Sequence, residues 1–426
     1  MRPCRPCFLR ARHLRPVPLR HTQYRRRAPT HRDLPQAPTL APLPSSAPAR
    51  LLPPPPAPLP PRVPVPAPLP PPARPPVPAP SPPQPPPKPR PPPLHPIPPG
   101  FLRGLTYAGY DPTVFATSTS DDLIRQLATT GANAVSVQTA WYQATPDSTQ
   151  ITPTDQTPTD ASVVHLIRLI HSLHMKVFLD PFVDATRGEA WEGALHPTSW
   201  PAWFQSYDAE IAHYAKLAPA NGVEMLALGD ENDTSDHDPS LLPDYLHLID
   251  VARSYYRGSI TYGGDYPDYR QIPAAFWRRL DAIGLEAYFP LAQQGATDPS
   301  QDELDADWRN QAAQIAAWRS AVGLTDKPVI ITELGYYGGG STAANPGNWE
   351  PHSPLDLKLQ AECYQATLST IYQEPWLQGL FWFWWANPSD GPDWPPTVDN
   401  NGYNIQNKPA LKVPESYFQA SQGGRK

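Results

Sequence analysis

Short apolar runs alternate with amphipathic segments from residue 101 to about residue 420. Runs of this length are typical of buried parallel strands, and apolar positions that recur every three or four residues are typical of helices. The predicted strands cover residues 102–108, 133–139, 176–180, 223–228, 259–262, 282–287, 328–332 and 377–384. The predicted helices begin at residues 120, 159, 200, 243, 273, 304, 355 and 409.

Eight strand–helix units in succession predict an α/β fold, and specifically a closed (β/α)₈ TIM barrel. The main alternative is an open, doubly wound sheet that binds a nucleotide. That fold would need a glycine-rich phosphate loop after its first strand, and the residues after 108 do not supply one. The pattern therefore favours the barrel.

The first hundred residues differ from the rest of the chain. They contain 39 of the 64 prolines, 15 Lys and Arg and a single acid, so they carry +14, whereas the rest carries −20. We predict a disordered basic tail over residues 1–34, a Pro-rich linker over residues 35–99 and a catalytic domain over residues 100–420. Proline cannot sustain backbone hydrogen bonding, so the linker is interpreted as an extended spacer in preference to a ligand for a Pro-binding module.

The acidic domain disfavours nucleic acid as a partner, because phosphate binding needs clustered Lys and Arg. No stretch approaches the ~20 apolar residues of a membrane span, so no span is expected. The short apolar run that ends at Leu9 is broken by Arg10 and Arg12, so no signal peptide is recognisable. The oligomeric state is left open by the sequence.

Polar and aromatic side chains follow the strands where the working residues of such barrels lie, at the carboxyl ends. In chain order the candidates are Gln138, Trp141, Tyr142, Asp180, Asp184, Asp230, Glu231, Asp265, Glu286, Tyr288, Glu333 and Trp384. Aromatic faces stack on pyranose rings and carboxylates accept hydrogen bonds from sugar hydroxyls. The rim therefore indicates a carbohydrate site.

Glu231 and Glu333 are the strongest catalytic candidates. Each directly follows an apolar strand, which would hold it rigidly at the rim. A purely structural ion pair is the alternative, and the scarcity of Lys and Arg near these strand ends disfavours it. Glycoside hydrolysis needs two carboxylates and neither a metal nor another cofactor, so none is expected.

The chain resembles glycoside hydrolase family 113 of clan A, whose characterised members are retaining β-1,4-mannanases. The matching stretches are residues 133–137, 139–143, 176–184, 191–197, 203–207, 228–231, 283–290, 331–335 and 408–410. The resemblance implies that Glu231 is the acid/base and Glu333 the nucleophile. It also implies that Tyr288 hydrogen-bonds the nucleophile and that Trp384 forms the floor of the −1 subsite, with Trp385 facing away.

Three residues differ from the sequence pattern of the family or of the clan. Asp180 and Phe182 occupy positions where the family pattern has Lys and His, and Asp230 precedes the acid/base where many clan members have Asn. A negative charge at residue 230 would raise the pKa of the neighbouring proton donor.

The expected function is hydrolysis of a β-linked polysaccharide or oligosaccharide by double displacement, with β-1,4-mannan as the first candidate. Trp141, Tyr142, Asp180, Asp184, Asp230, Asp265, Tyr288 and Trp384 are the expected substrate-binding residues. Two alternatives stay open, namely another β-glycan such as glucan or galactan, and a silent barrel that only binds carbohydrate. A polymeric substrate and a long tether favour work outside the cell or in its envelope.

Overall fold

The computed structural model describes residues 100–185, 191–296, 298–348 and 353–423. Eight parallel strands close into one barrel in the order in which they occur along the chain. The strands are β1 Leu102–Gly109, β2 Ala134–Gln143, β3 Lys176–Ala185, β4 Met225–Asp230, β5 Ser259–Asp265, β6 Ile283–Glu286, β7 Val329–Leu334 and β8 Leu377–Trp382. The predicted TIM barrel is confirmed, whereas the predicted tail and linker lie outside the described residues.

A helix follows each strand and covers the outside of the barrel. These helices are α1 Ser118–Thr129, α2 Asp160–Ser172, α3 Trp200–Ala220, α4 Leu242–Tyr255, α5 Ala274–Arg279, α6 Gln301–Ala321, α7 Leu357–Thr370 and α8 Lys412–Gly423. Thr159 caps α2 through its side chain, as a threonine before a helix should. In α1 the cap is Thr117, so that helix begins two residues earlier than predicted.

The lower half of the barrel interior is a packed apolar plug. Its buried members are Ala134, Phe178, Met225, Ala227, Ala282, Ile330 and Phe381. The rings of Phe178 and Phe381 meet at a centroid distance of 5.2 Å. Because this plug closes the lower end, inward side chains nearer the carboxyl ends of the strands form the floor of an open mouth.

Side chains along β2 show how the barrel separates site from core. Residues of a strand face alternate sides, and Gln138 points inward while Thr139 hydrogen-bonds the Tyr214 hydroxyl of α3 on the outside. Strands β2 and β3 run several residues beyond their predicted ends, to Gln143 and Ala185. Polar residues expected in loops are therefore held on strands.

Two further features follow from the described residues. Cys363 is buried in α7 and carries a free thiol. Within the described ranges no helix has both the length and the apolar character needed to cross a membrane. The domain limits at residues 34, 99 and 420 stay predictions.

Candidate active site

The end of β4 has an irregular backbone that turns two consecutive carboxylates toward the mouth. The β4–β5 pairing shifts between Ala227 and Asp230, and the backbone has φ of 112° at Gly229 and 41° at Glu231. A Cβ at Gly229 would lie 1.8 Å from the Tyr207 hydroxyl oxygen, so only glycine fits there. Because the shift interrupts strict alternation, Asp230 and Glu231 both reach the site.

Glu333 is held by a hydrogen bond on each of its carboxylate oxygens. The Tyr288 hydroxyl donates to Oε1 at 2.5 Å, and the Gln138 amide donates to Oε2 at 2.9 Å. The pairing of β7 with β8 shifts between Ile331 and Leu334, which turns Glu333 toward the interior. With 7% of its surface exposed, Glu333 is rigidly placed at the base of the mouth.

Glu231 is also 7% exposed and lies between an aromatic donor and a second acid. The Trp191 indole N–H donates to its Oε2. Glu286 is the neighbouring acid, and its interaction with Glu231 is one of the causes that raise the pKa of Glu286. A Cβ at Gly263 would approach Glu286 Oε1 to 2.3 Å, so this glycine makes room for the pair.

The electrostatics of the site are dominated by negative groups close to one another. Burial, followed by the Glu231 carboxylate, raises the pKa of Glu333 to about 8, while the donors Tyr288 and Gln138 lower it. Burial and the neighbouring carboxylates raise the pKa of Glu286 and of Asp230 well above their ordinary values. Coupled acids titrate as a set, and burial among like charges favours the retention of protons by this cluster.

Asp180 and Asp184 both point inward from β3. The Ser136 hydroxyl donates to Asp180 Oδ2 at 3.1 Å, and burial raises the pKa of Asp180 to about 7. Asp184 lies at the upper end of the same strand face, and its charge helps to raise the pKa of the Tyr110 hydroxyl after burial itself. Both residues therefore belong to the mouth, Asp180 deep and Asp184 near its rim.

Asp265 lies at the end of β5, on another side of Glu231. It is 9% exposed, and its pKa is raised well above normal by burial and then by Glu231 and Asp233. The structure thus brings Asp265 to the acid/base candidate.

Aromatic side chains form two small clusters that share Tyr110. Trp384 packs with Tyr288, Phe383 and other rings in one cluster, and Tyr142 packs with Phe182 in the other. The Trp384 indole N–H donates to Asp393 Oδ2 at 3.0 Å, which fixes the plane of its ring. Trp385 points to the outer core and donates to the Leu123 carbonyl.

Trp141 is the expected site residue that the structure does not bring to the carboxylates. Its ring packs against His213 and Tyr214 of α3 on the outside of the barrel. Because consecutive residues of a strand face opposite sides, only one of Trp141 and Tyr142 can face the mouth, and it is Tyr142.

Two buried glutamates at the ends of β4 and β7 of a TIM barrel agree with the comparison to known proteins. The sequence profile of Glycoside Hydrolase Family 113 matches residues 106–408. The chain belongs to glycoside hydrolase family 113. It is therefore a glycoside hydrolase of clan A that acts on carbohydrate, as the resemblance predicted. Among curated proteins no sequence matches it.

Solved structures of family 113 superpose over nearly their whole length. The GH113 β-mannanase from Alicyclobacillus acidocaldarius, in complex with ManMIm, is 26% identical with a TM-score of 0.65, covering 76% of this chain and 98% of that chain. A complex of a GH113 β-1,4-mannanase has the same identity and score, with 75% and 99% covered. A mutant of a family 5 mannosidase from Rhizomucor miehei shares the fold at 11% identity and TM-score 0.50, with 76% and 94% covered.

Three side chains of the family 113 site received no role from the sequence. Gln138 and Glu286 were recognised only as polar residues at strand ends, and Trp191 only as part of a matching stretch. The contact of Gln138 with Glu333 spans 195 positions along the chain, and no local pattern encodes it. Trp191 reaches Glu231 from the segment after β3, which local periodicity also does not reveal.

The acidic loop after Glu231 is partly buried in the structure. Asp236 is 4% exposed and accepts a hydrogen bond from the Tyr262 hydroxyl at 2.9 Å. Burial and the Glu231 charge raise the pKa of the half-buried Asp233 to about 9. Within the described ranges no group of three or more His, Cys, Asp or Glu is placed to hold a metal ion.

Asp233→Asn should stabilise the protein increasingly as the pH rises from about 4 to about 9. Over that window the folded protein keeps Asp233 protonated, while the unfolded chain ionises it. The free energy of unfolding of the wild type therefore falls as the pH rises, and that of the Asp233→Asn variant does not fall for this reason. Thermal melts at pH 5 and pH 8 would test this. Asp238→Asn is the matched control, because hydrogen bonds from Ser240 lower the pKa of Asp238 and give the opposite sign. Equal melting shifts at both pH values for Asp233→Asn would contradict the prediction.

Proposed function

We propose that this enzyme hydrolyses a β-1,4-linked pyranose polymer, with mannan as the first candidate, by a retaining double displacement. The observation that carries the proposal is the unequal treatment of the two buried glutamates. Glu333 receives a donor on each oxygen, whereas Glu231 lies beside Glu286, an acid whose pKa is raised well above its ordinary value. Donors on both oxygens thus orient Glu333 as a nucleophile requires, and Glu231 has a neighbouring acid beside it, as suits a group that transfers a proton.

In the first step a Glu333 oxygen attacks the anomeric carbon and forms an ester bond. The glycosidic C–O bond breaks, and Glu231 delivers its proton to the leaving oxygen. In the second step the Glu231 carboxylate takes a proton from water, the resulting hydroxide attacks the anomeric carbon, and the ester bond to Glu333 breaks. Two inversions at one carbon give net retention.

The supporting side chains have separate tasks in this scheme. Tyr288 and Gln138 orient the nucleophile, and Trp191 orients the acid/base. Trp384, fixed by Asp393, offers an aromatic face to the sugar bound at the nucleophile. Asp184, Asp265 and Tyr142 lie where they would contact neighbouring hydroxyls.

The choice of mannan rests on the names of the family 113 relatives, both of which are called mannanases. Reducing-sugar release from purified β-mannan, β-glucan and β-galactan tests the polymer, and proton NMR of the first-formed anomer tests the stereochemistry. We expect release from mannan as the β-anomer. Release from glucan or galactan alone would replace mannan with that glycan as the proposed substrate. No release from any glycan would favour a barrel that only binds carbohydrate.

A further inference from the structure

Asp230 is a buried carboxylate beside both catalytic glutamates that the proposed mechanism does not use. Its side chain is 5% exposed, and its Oδ1 atom has no hydrogen-bond partner among the described residues. After burial, the groups that act most on its charge are Asp180, Glu192, Glu231 and Glu333, and all of them are acids. A buried polar atom without a protein partner needs a hydrogen bond, and beside the catalytic glutamates a group of the substrate can supply it.

The position of Asp230 selects one part of the sugar. Glu333 must face the anomeric carbon C1, and Glu231 must face the glycosidic oxygen attached to it. A group next to both can reach only the two other neighbours of C1, which are the ring oxygen and the substituent of C2. The ring oxygen has no hydrogen to donate, so an acceptor such as Asp230 Oδ1 faces the C2 substituent.

The surrounding charge distinguishes a hydroxyl from an ammonium group at C2. Asp180, the strongest charge acting on Asp230, is itself buried at the floor of the mouth. A hydroxyl donates one hydrogen bond but brings no positive charge, so these buried acids still favour their protonated forms. An ammonium group donates three hydrogen bonds and brings a positive charge, which favours the ionised form of Asp230 and pairs with it in a buried site. A metal ion would do the same, but the described residues place no group of ligands to hold one.

We propose that Asp230, together with Asp180, makes the enzyme prefer a sugar with an ammonium group on C2 at the bond that is cleaved. The favoured substrate is then a β-linked 2-amino-2-deoxy sugar, cleaved ahead of the corresponding neutral glycan. This inference rests on the proposed double displacement and specifies the substrate class of the same site.

In the transition state Asp230 has a second effect, which also favours the amino sugar over the neutral sugar. Positive charge develops at C1 as the glycosidic bond breaks, and an ammonium group on C2 repels that charge. A carboxylate paired with the ammonium group offsets this repulsion, so the pairing grows more valuable as the reaction proceeds. Asp230 therefore acts on kcat as well as on KM for the amino sugar.

The test compares two matched pairs of aryl β-1,4-disaccharides, one in the manno and one in the gluco configuration. Within a pair, the sugar next to the aryl group carries either a hydroxyl or an amino group on C2. At about pH 6, where an aliphatic amine is protonated, the wild type should show a higher kcat/KM for the amino member of at least one pair. Asp230→Asn should lower this preference by about 10- to 100-fold, the usual effect of a lost hydrogen bond to a charged group.

Asp233→Asn is the matched control for that substitution. Asp233 is also a half-buried acid close to Glu231, but it is not among the charges that act most on Glu333 or on Asp230. Its amide should leave the amino-to-hydroxyl ratio within about threefold of the wild-type ratio, since it lies away from C2. An equal loss of preference in both variants would overturn the role of Asp230.

The outcomes separate this inference from the proposed function. A wild type that cleaves the hydroxyl members as fast as the amino members, or faster, in both pairs overturns the inference and leaves the double displacement intact. Faster cleavage of an amino member that does not respond to Asp230→Asn also overturns it. Cleavage of no compound in either pair overturns both proposals.

Discussion

Glu333→Ala should lower kcat/KM on every β-glycoside by about 10⁴-fold or more, the scale of loss when a covalent nucleophile is removed. Without the carboxylate no ester can form at the anomeric carbon, and a better leaving group does not compensate. Steady-state rates on a polymer and on a dinitrophenyl glycoside would measure the effect. The two losses should be similar, because the missing step is common to both substrates.

The control for Glu333→Ala is Tyr288→Phe. This variant keeps the nucleophile and removes only the donor to Oε1, so it should retain measurable turnover. Small anions provide a second check, because azide can occupy the space left in Glu333→Ala and displace an activated leaving group directly. The product would then be the inverted α-azide. Wild-type activity in Glu333→Ala would remove this residue from the mechanism.

Glu231→Ala should affect natural glycosides and dinitrophenyl glycosides differently, whereas Glu333→Ala should slow both to a similar extent. Natural glycosides need a proton on the departing oxygen, so their turnover should fall by about 10²- to 10⁴-fold, as is usual for a lost general acid. A dinitrophenolate leaves without a proton, so the ester to Glu333 should still form and then accumulate. A burst of dinitrophenol followed by slow steady-state release is the expected time course.

Azide provides the decisive readout for Glu231→Ala. It is already a nucleophile and needs no base, so it should restore turnover of the dinitrophenyl glycoside and give the β-azide, with retained configuration. Glu286→Gln is the matched control, since Glu286 is a buried acid that interacts with Glu231 but is not assigned the proton transfer to the leaving group. An α-azide from Glu231→Ala would reverse the two roles.

The eight strands could be predicted because their apolar runs are separated by clear helical patterns. The ends of β2 and β3 could not, because inward residues beyond the predicted ends, such as Tyr142 and Asp184, carry polar groups and look like loop residues. Polarity in these strands reflects the open mouth above the apolar plug and not the end of the strand. The sequence pattern cannot distinguish the two cases before the barrel is closed.

Glu231 and Glu333 could be found because each follows a buried strand, whereas their partners depend on breaks in register. Strict alternation would not turn both Asp230 and Glu231 inward, and the shift in the β4–β5 pairing makes this possible. Where the strand is regular, as in β2, strict alternation places Tyr142 on the inside of the barrel and Trp141 on the outside. Local pattern therefore identifies the rim, and backbone irregularities select the side chains that meet.

The contact between Gly229 and Tyr207 joins the outer shell of the barrel to its chemistry. The Tyr207 hydroxyl of α3 donates to the Leu228 carbonyl and occupies the volume in which a side chain at residue 229 would lie. Any change in the position of α3 on the barrel is thus transmitted to the backbone that carries Glu231. Redesigning the α3 interface to make this enzyme more stable will therefore alter its turnover as well.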